Sequence, residues 1–410
     1  MRIALVTHQF FPEYYTGVER LTLNLAKQLG RMGHECCIVT AAEQSSGDES
    51  PYGYDGVHVR PVARHAPADL AQPWADSNDL AVRIGRVLDE EQVELVHVLQ
   101  PVRLPLVFEE AALRDLPVVA HVPDFTYFCA RVNLLRPDGS SCVDAERGLA
   151  CTRICRIPNG TGRFAWGLSR LDGAAAVVSP CRATIQLHAD QGFRVDHWHY
   201  IPWGVDYSIH PTRLPPPGGD GLVIGFIGTL LRHKGPHTVI EAVRKLPGAD
   251  LRLILYGDSF HEAGYERELR KLAGGDPRIQ FAGRYEHADF PSVLAPLDAV
   301  VIPSEWHENL PSTGLNAVAA GVPLVVSDVP GLSELVDDYD CGFTFAAGDA
   351  ADLAGLLERL LDNGGLLRQT RARMTYPIGV EEDAWRLEAI NEQALSRPSL
   401  GDRSALGVSP

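Results

Sequence analysis

Short apolar runs alternate along the chain with longer stretches in which apolar residues recur every third or fourth position. This is the pattern of strand–helix units that build parallel sheets covered on both faces. In the first half the runs predict strands over 2–7, 35–40, 57–62, 94–99, 117–122, 174–178 and 198–202. Between the first two, Val18, Leu21, Leu25, Leu29 and Met32 fall at helical spacing and Gly33 follows as a stop signal, predicting a helix over 18–32. Residues 207–221 are too rich in Pro and Gly for a regular element and suit a linker. A second series follows, with strands over 222–228, 251–257, 298–303, 323–327 and 341–345 and helices near 236–246, 263–273, 312–321 and 350–362. A last amphipathic stretch over 380–394 carries Trp385 and Ile390, and the tail after Ser396 is expected to be loose.

These elements predict two doubly wound, Rossmann-like α/β domains, 1–206 with a Cys-rich insert at 125–165, and 222–377, joined by the linker 207–221. Residues 378–396 form a closing helix and 397–410 a tail. Open α/β sheets bind ligands outside the carboxyl ends of their strands, so the two domains are expected to face a central cleft. The length of 410 residues agrees, at about 100–200 residues per domain.

Composition narrows the partners. Lys plus Arg number 37 against 53 Asp plus Glu, a net charge of −16 that would repel nucleic acid or an anionic bilayer. A phosphorylated small molecule stays open, because a local cluster of amides and one or two cations can bind it. No apolar run reaches the ~18 residues of a membrane span, and the N-terminus leads straight into a polar segment, so a cytoplasmic protein is expected. The eight cysteines are then expected to be reduced.

Three loops that follow strands hold the candidate chemistry. In the first, Thr7 to Gly17, the glycine opens the helix and lets backbone approach an anion. An ordinary Pro/Gly loop is the alternative. The second, Gly228-Thr229-Leu230-Leu231-Arg232-His233-Lys234-Gly235, places Arg232 and Lys234 at a strand end, where they can neutralise a departing phosphate. Surface cations are the plain alternative, and Gly225-Phe226-Ile227-Gly228 lacks the spacing of a dinucleotide fingerprint. The third runs from Pro303 to Asn316. Pro311 suits a first helical turn, so the amides of 310–313 form a second anion site, with Glu308 just ahead and Asn316 a turn further on, both suited to hydroxyls.

Pro12 through Gly17 with Glu19, Ile201-Pro202-Trp203-Gly204-Val205-Asp206, His233-Lys234-Gly235, Glu308-Asn309-Leu310-Pro311, Ala319-Ala320-Gly321-Val322-Pro323 and Gly331-Leu332-Ser333-Glu334 together resemble the retaining glycosyltransferases of family 4, with the GT-B fold. The resemblance spans nearly the whole chain in the expected order. It implies transfer of a sugar from a nucleotide diphosphate donor to an acceptor hydroxyl, with retained configuration, no catalytic metal, and a final helix that crosses back to the first domain. It also implies roles. Lys234 matches the lysine on the donor phosphates, Glu308 the first Glu of an E-x7-E pair that meets the donor sugar, Gly17 the glycine near the diphosphate, and Gly283-Arg284-Tyr285 the contact with the base. Thr229, Asn309 and Leu310 complete the donor set.

Three positions depart from the family pattern. Thr229 stands where an Arg is usual, leaving one phosphate cation missing unless Arg232 supplies it. Asn316 stands for the second Glu, which puts nucleotide affinity or identity in question. With Asp124 and Cys129 aligned, the family's His falls on Pro123; His121, on the same side of the strand, is a candidate substitute, with a hydrogen-bonded core histidine as the alternative. Glu308, Lys234, His121 and Asp124 are thus the catalytic candidates.

Cys129, Cys142, Cys151 and Cys155 fall within 27 residues. Four thiolates suit a structural zinc, or an iron–sulfur cluster, with four unligated thiols as the alternative. The acidic balance favours a small, soluble, polar and cationic acceptor. Two other readings remain open: a glycosyl or phosphoribosyl-type transferase using a sugar phosphate or diphosphate without a nucleoside, and a non-catalytic sugar- or nucleotide-binding protein.

Overall fold

Runs such as Val118-Val119-Ala120-His121 and Leu222 to Ile227 are apolar at every position because both faces of their strands are buried. The computed structural model describes the chain except residues 15–16, 43–46, 65–68, 76, 210–213, 218–220, 260–261, 263 and 397–410, and the side chains of 75 and 287. The tail expected over 397–410, Tyr15 and Thr16 of the first loop, and parts of the 207–221 linker therefore lie outside the described residues.

The chain divides into two units, one comprising Met1–Trp203 and the stretch from Val380, the other Gly204–Gly379. The first holds an eight-stranded sheet: β1 (Arg2–Thr7), β2 (Glu35–Ala41), β3 (Tyr52–Tyr54), β4 (Val57–Val62), β5 (Leu95–Val98), β6 (Val118–His121), β7 (Ala176–Ser179) and β8 (Trp198–Tyr200), in the order β3-β4-β2-β1-β5-β6-β7-β8. All pairs are parallel except β3 with β4. The short β3 was absent from the strands the pattern predicts. Its signal is the Asp55-Gly56 turn into β4, where both residues take positive φ (48° and 81°), as a two-residue hairpin requires.

The second unit is a six-stranded parallel sheet built from β9 (Leu222–Ile227), β10 (Leu251–Tyr256), β11 (Ile279–Gly283), β12 (Ala299–Ile302), β13 (Leu324–Ser327) and β14 (Gly342–Phe345), in the order β11-β10-β9-β12-β13-β14. β11, also absent from the pattern-based strands, is an edge strand with alternate residues facing water, so it carries no continuous apolar run. Each unit thus repeats the doubly wound order in which the chain returns to the middle of the sheet and builds outward on the other side, between β1 and β5 and between β9 and β12.

Helix Val380–Ser396 packs within the first unit, where Leu387 (1% exposed), Ile390 and Ala394 join Leu21, Leu25 and Leu29 of helix Gly17–Arg31 in one core. A fully buried Leu or Ile contributes about 1.5–3 kcal/mol, enough to dock the helix. His34 Nε2, just past helix Gly17–Arg31, lies 2.9 Å from Glu388 Oε2 midway along the closing helix. Trp385, carried by the same amphipathic stretch, faces water at 69% exposure.

Candidate active site

Strands β9 and β12 are hydrogen-bonded neighbours, Ala299 opposite Ile224 and Val300 opposite Gly225, so the loops leaving their carboxyl ends meet. Two features seat them. Gly235 holds φ +66°, and a Cβ there would lie 2.0 Å from the carbonyl oxygen of Pro303, so only glycine lets the loops touch. The Glu305 N–H then donates to the His233 carbonyl at 2.8 Å. Lys234 ends the short turn Arg232–Lys234 and reaches across, its Nζ 3.5 Å from Glu308 Oε1.

The Glu308 carboxylate is largely buried, and a buried charge needs partners. Ser304 Oγ donates to Oε1 at 2.7 Å and Trp306 Nε1 at 2.8 Å. Ser304 is itself enclosed, its carbonyl accepting from Ser327 Oγ at 2.5 Å. Helix Pro330–Tyr339 backs the segment: a Cβ on Gly331 would fall 2.2 Å from the Glu308 carbonyl oxygen and 2.3 Å from that of Asn309, which explains the glycine that opens the Gly331–Glu334 block. The three bonds converge on Oε1; among the described residues Oε2 takes none, leaving an oxygen for a ligand hydroxyl. The Trp306 ring packs against His233 at 4.9 Å, with Lys234 Nζ 5.7 Å from its centre. Burial first, and then the charge of Lys234, push the His233 pKa down, so His233 adds no second cation at neutral pH.

Helix Ser312–Ala319 begins beside Glu308. Gly314 and Leu315 both donate to the Pro311 carbonyl, so the amides of Ser312 and Thr313 have no acceptor within the helix and form its positive end. An ammonium, a set of exposed amide dipoles and an oriented carboxylate therefore share one strand-end site, suited to a phosphoryl group joined to a polyol.

The other sequence candidates are distributed unevenly. Asn309 and Leu310 are buried, Thr229 and Asn316 half-buried. Arg232, the candidate for the missing phosphate cation, pairs its guanidinium with Glu262 at 2.7 Å and Glu268 at 2.5 Å and covers the Tyr265 ring at 4.6 Å. Arg284 follows β11, exposed and paired with Asp258 at 2.7 Å. Gly17 opens helix Gly17–Arg31.

In the first unit, His121 has the surroundings of a hydrogen-bonded core histidine. It is 5% exposed, its Nε2 lies 2.9 Å from His97 Nδ1, and His97 Nε2 lies 2.9 Å from Asn391 Oδ1. Burial pushes the pKa of both imidazoles down, His97 to about 4. Asp124, after β6, accepts from the Thr126 N–H at 2.8 Å and from Gln100 Nε2. Burial raises its pKa to about 7, against those two bonds and the nearby charge of Arg163. Sequence reasoning missed His97, Gln100, Arg163 and Asn391, whose partners lie far off along the chain. It also missed Ser304 and Trp306 as donors to Glu308, although both stand within four residues of it.

Cys129, Cys142, Cys151 and Cys155 come into one neighbourhood as free thiols. Burial raises the pKa of Cys129, Cys142 and Cys151, the last to about 12, and Cys142 Sγ donates to the Asp144 carbonyl at 3.5 Å. Among the described residues no group of three or more His, Cys, Asp or Glu is placed to hold a metal ion, so the expected zinc or iron–sulfur cluster finds no support. Nor is any described helix long and apolar enough to cross a membrane.

The family model Glycosyltransferase Family 4 matches residues 15–208 and Glycosyl transferases group 1 matches 215–376. Over 306 residues the chain is 33% identical to a 2-deoxystreptamine glucosyltransferase of Streptomyces kanamyceticus, covering 70% of this chain and 75% of that protein. The chain belongs to glycosyltransferase family 4. A GDP-mannose-dependent alpha-mannosyltransferase of Mycolicibacterium smegmatis is 25% identical over 403 residues, 95% of this chain and 98% of its own. Among solved structures, a sucrose-phosphate synthase of Thermosynechococcus elongatus superposes with TM-score 0.72 at 16% identity, covering 95% of this chain and 98% of that one. The fold of this glycosyltransferase is accordingly GT-B, with two parallel-sheet α/β units in one chain.

Proposed function

We propose that the enzyme moves a hexosyl group from a nucleotide diphosphate sugar to a hydroxyl of a small, soluble, polar acceptor, with retention at the anomeric carbon. The observation that carries this is the 3.5 Å approach of Lys234 Nζ to a Glu308 carboxylate oriented by Ser304 and Trp306. The names of the relatives support the donor class, one using GDP-mannose, and the Streptomyces relative supports an acceptor that is a small ring compound bearing amines.

In this reading the Lys234 ammonium and the amides of Ser312 and Thr313 hold the diphosphate, with Thr229 on the same loop as Lys234. Glu308 Oε2 accepts from a hydroxyl of the donor sugar. Asn309 and Leu310 shape the sugar's seat, Asn316 bonds the ribose and Arg284 borders the base. As the bond from the anomeric carbon to phosphate oxygen breaks, its electron pair passes to that oxygen, where Lys234 and the amide dipoles stabilise the charge. The acceptor oxygen bonds the anomeric carbon from the same face and its proton passes to the departing phosphate. Catalysis comes from positioning and charge stabilisation, and no step needs a metal. A cytoplasmic setting accords with eight cysteines of which none forms a disulfide.

Incubation with UDP-, GDP- and ADP-hexoses, with nucleotide release followed and the product's anomeric coupling read by NMR, tests the reading. Release of one nucleotide and a retained anomer are expected. Turnover of a sugar diphosphate lacking a nucleoside, with none of the nucleotide sugars consumed, would replace the donor class, and an inverted product would remove the retaining mechanism.

A further inference from the structure

The net charge of −16 is spread unevenly within the first unit. Its Cys-rich insert, 125–165, holds six arginines against three acids and forms a cationic island on an acidic chain. The closing helix Val380–Ser396 is the reverse, with five acids and one arginine. Opposite charge on two separate parts of one unit is complementarity between copies of the chain.

Each part also carries an apolar feature that no role above uses. In the insert, the turn Glu146–Gly148, helix Leu149–Arg153 and helix Gly160–Gly173 border a cavity of about 440 Å³, within the roughly 300–1,000 Å³ of sites that enclose a small ring system. Leu149, Phe164, Ala165 and Leu168 supply apolar walls, and Leu149 is 59% exposed. Glu146 and Arg147 supply the charge. Glu146 is matched by Arg153 at 2.7 Å, whereas Arg147 has no ion pair among the described residues, so the groove is left with one open cation.

On the closing helix the feature is a knob. Trp385 is the most exposed Phe, Trp or Tyr among the described residues. Glu381, Glu382 and Glu388 stand three or four positions from it, on neighbouring turns, and surround the indole with carboxylates. Trp and Arg are the side chains that most often anchor protein interfaces, because each joins a large contact area to a polar handle.

Knob and groove cannot meet within one chain. Leu387 and Ile390 of the closing helix pack with Ile3, Leu5 and Val119, whereas Phe164 and Trp166 of helix Gly160–Gly173 pack with Ala4, Val6 and Ala120. Alternate residues of β1 and β6 point to opposite faces, so the two helices cover opposite sides of the eight-stranded sheet.

We infer that the chain associates head to tail, Trp385 of one copy entering the insert groove of the next and its flanking glutamates meeting Arg147 there. Two different surfaces make the contact, so each junction leaves a groove on one copy and a knob on the other still open. Association therefore continues past two copies, into a ring or a chain.

Sedimentation velocity of the full chain over rising concentration tests this. The weight-average mass is expected to climb beyond twice that of one chain. Trp385→Ala removes the knob and Ala165→Trp fills the groove; each variant alone should associate at least about tenfold more weakly than wild type, the scale of losing one interface anchor. Mixed in equal amounts they should form a dimer and stop, since the first keeps an open groove and the second an intact Trp385. Arg147→Glu should also weaken association about tenfold, and raising the salt should weaken the wild type. All three positions are exposed, so folding is expected to survive, and melting curves confirm it. Should Ala165→Trp fail to fold, Arg147→Glu takes its place in the mixture. A wild type that stays monomeric, variants that associate as wild type does, or a mixture that does not pair overturns the inference. A monomeric wild type that sediments with phosphatidylglycerol vesicles gives the patch to a bilayer and overturns it too. No donor is present in these measurements, so their failure leaves the transferase reading untouched.

Discussion

The two units are wound alike, yet they arrange their polar residues in opposite ways. Between β9 and β12 the second unit sets an ammonium against an oriented carboxylate, with Lys234 still 30% exposed and one Glu308 oxygen left open. In the first unit the polar groups on and after β5 and β6 are turned on one another, His121 to His97 to Asn391 and Asp124 to Gln100. The same strand order therefore guarantees a place where loops converge but not a reactive one. What separates the two is whether burial leaves a charge with an unfilled position. The second unit leaves one Glu308 oxygen without a bond, while in the first the His121–His97–Asn391 chain ties helix Val380–Ser396 to the sheet.

The difference can be broken at either end. Lys234→Ala and Glu308→Gln should each lower nucleotide release from the donor sugar by about 10²–10³-fold, the scale of losing one preorganised electrostatic contact, with melting temperature little changed. A rate within threefold of wild type for either would erase the contrast between the units.

In the first unit the expected effect is on stability. Asn391→Ala removes the partner of His97 Nε2 inside the core and should cost about 1–3 kcal/mol in urea denaturation, with a much smaller change in rate. Acid should find the same weakness. His97 and His188 have their pKa pushed down to about 4 by burial, and His121 well below its ordinary value of 6.5. The unfolded chain therefore takes up protons below about pH 6.5 that the folded chain refuses, so this stability is intact above that pH and is lost as pH falls toward 4. Asp124 runs the other way, its raised pKa making the fold lose stability as pH climbs from about 4 to about 7. Hydrogen exchange at pH 5 should accordingly show β5 and β6 opening before β9 and β12; simultaneous opening would speak against the assignment.

Smaller effects sharpen the picture inside the second unit. Ser304→Ala and Trp306→Phe each remove one donor to Glu308 and should lower the rate about tenfold, mostly in kcat, since they aim the carboxylate without touching the phosphates. Arg232→Ala should change the rate less than about twofold, because Glu262 and Glu268 already hold that cation away.

This contrast also explains how far the sequence could be read. The second-unit candidate site is written in two short segments, Arg232 to Gly235 and Ser304 to Asn316, and the strand order brings them together, so its members can be picked out locally. Strands buried on both faces, such as β9, are equally legible, whereas β3 and β11 lie at sheet edges and lack the run that marks the others. The first-unit network joins residues 24 and 294 positions apart, and no local pattern foretells which histidine the core will claim. The surroundings of Arg232 are hidden for a related reason: its place beside Lys234 is local, but its partners Glu262 and Glu268 are not.

The central claim is that Lys234 grips a diphosphate while Glu308 reads the sugar attached to it. Calorimetric titration of wild type, Lys234→Ala and Glu308→Gln with the preferred nucleoside diphosphate and with its sugar conjugate addresses it directly. Lys234→Ala should weaken both ligands at least about tenfold, and Glu308→Gln should weaken only the conjugate. Unchanged nucleotide affinity in Lys234→Ala, or equal losses for both ligands in Glu308→Gln, would contradict it.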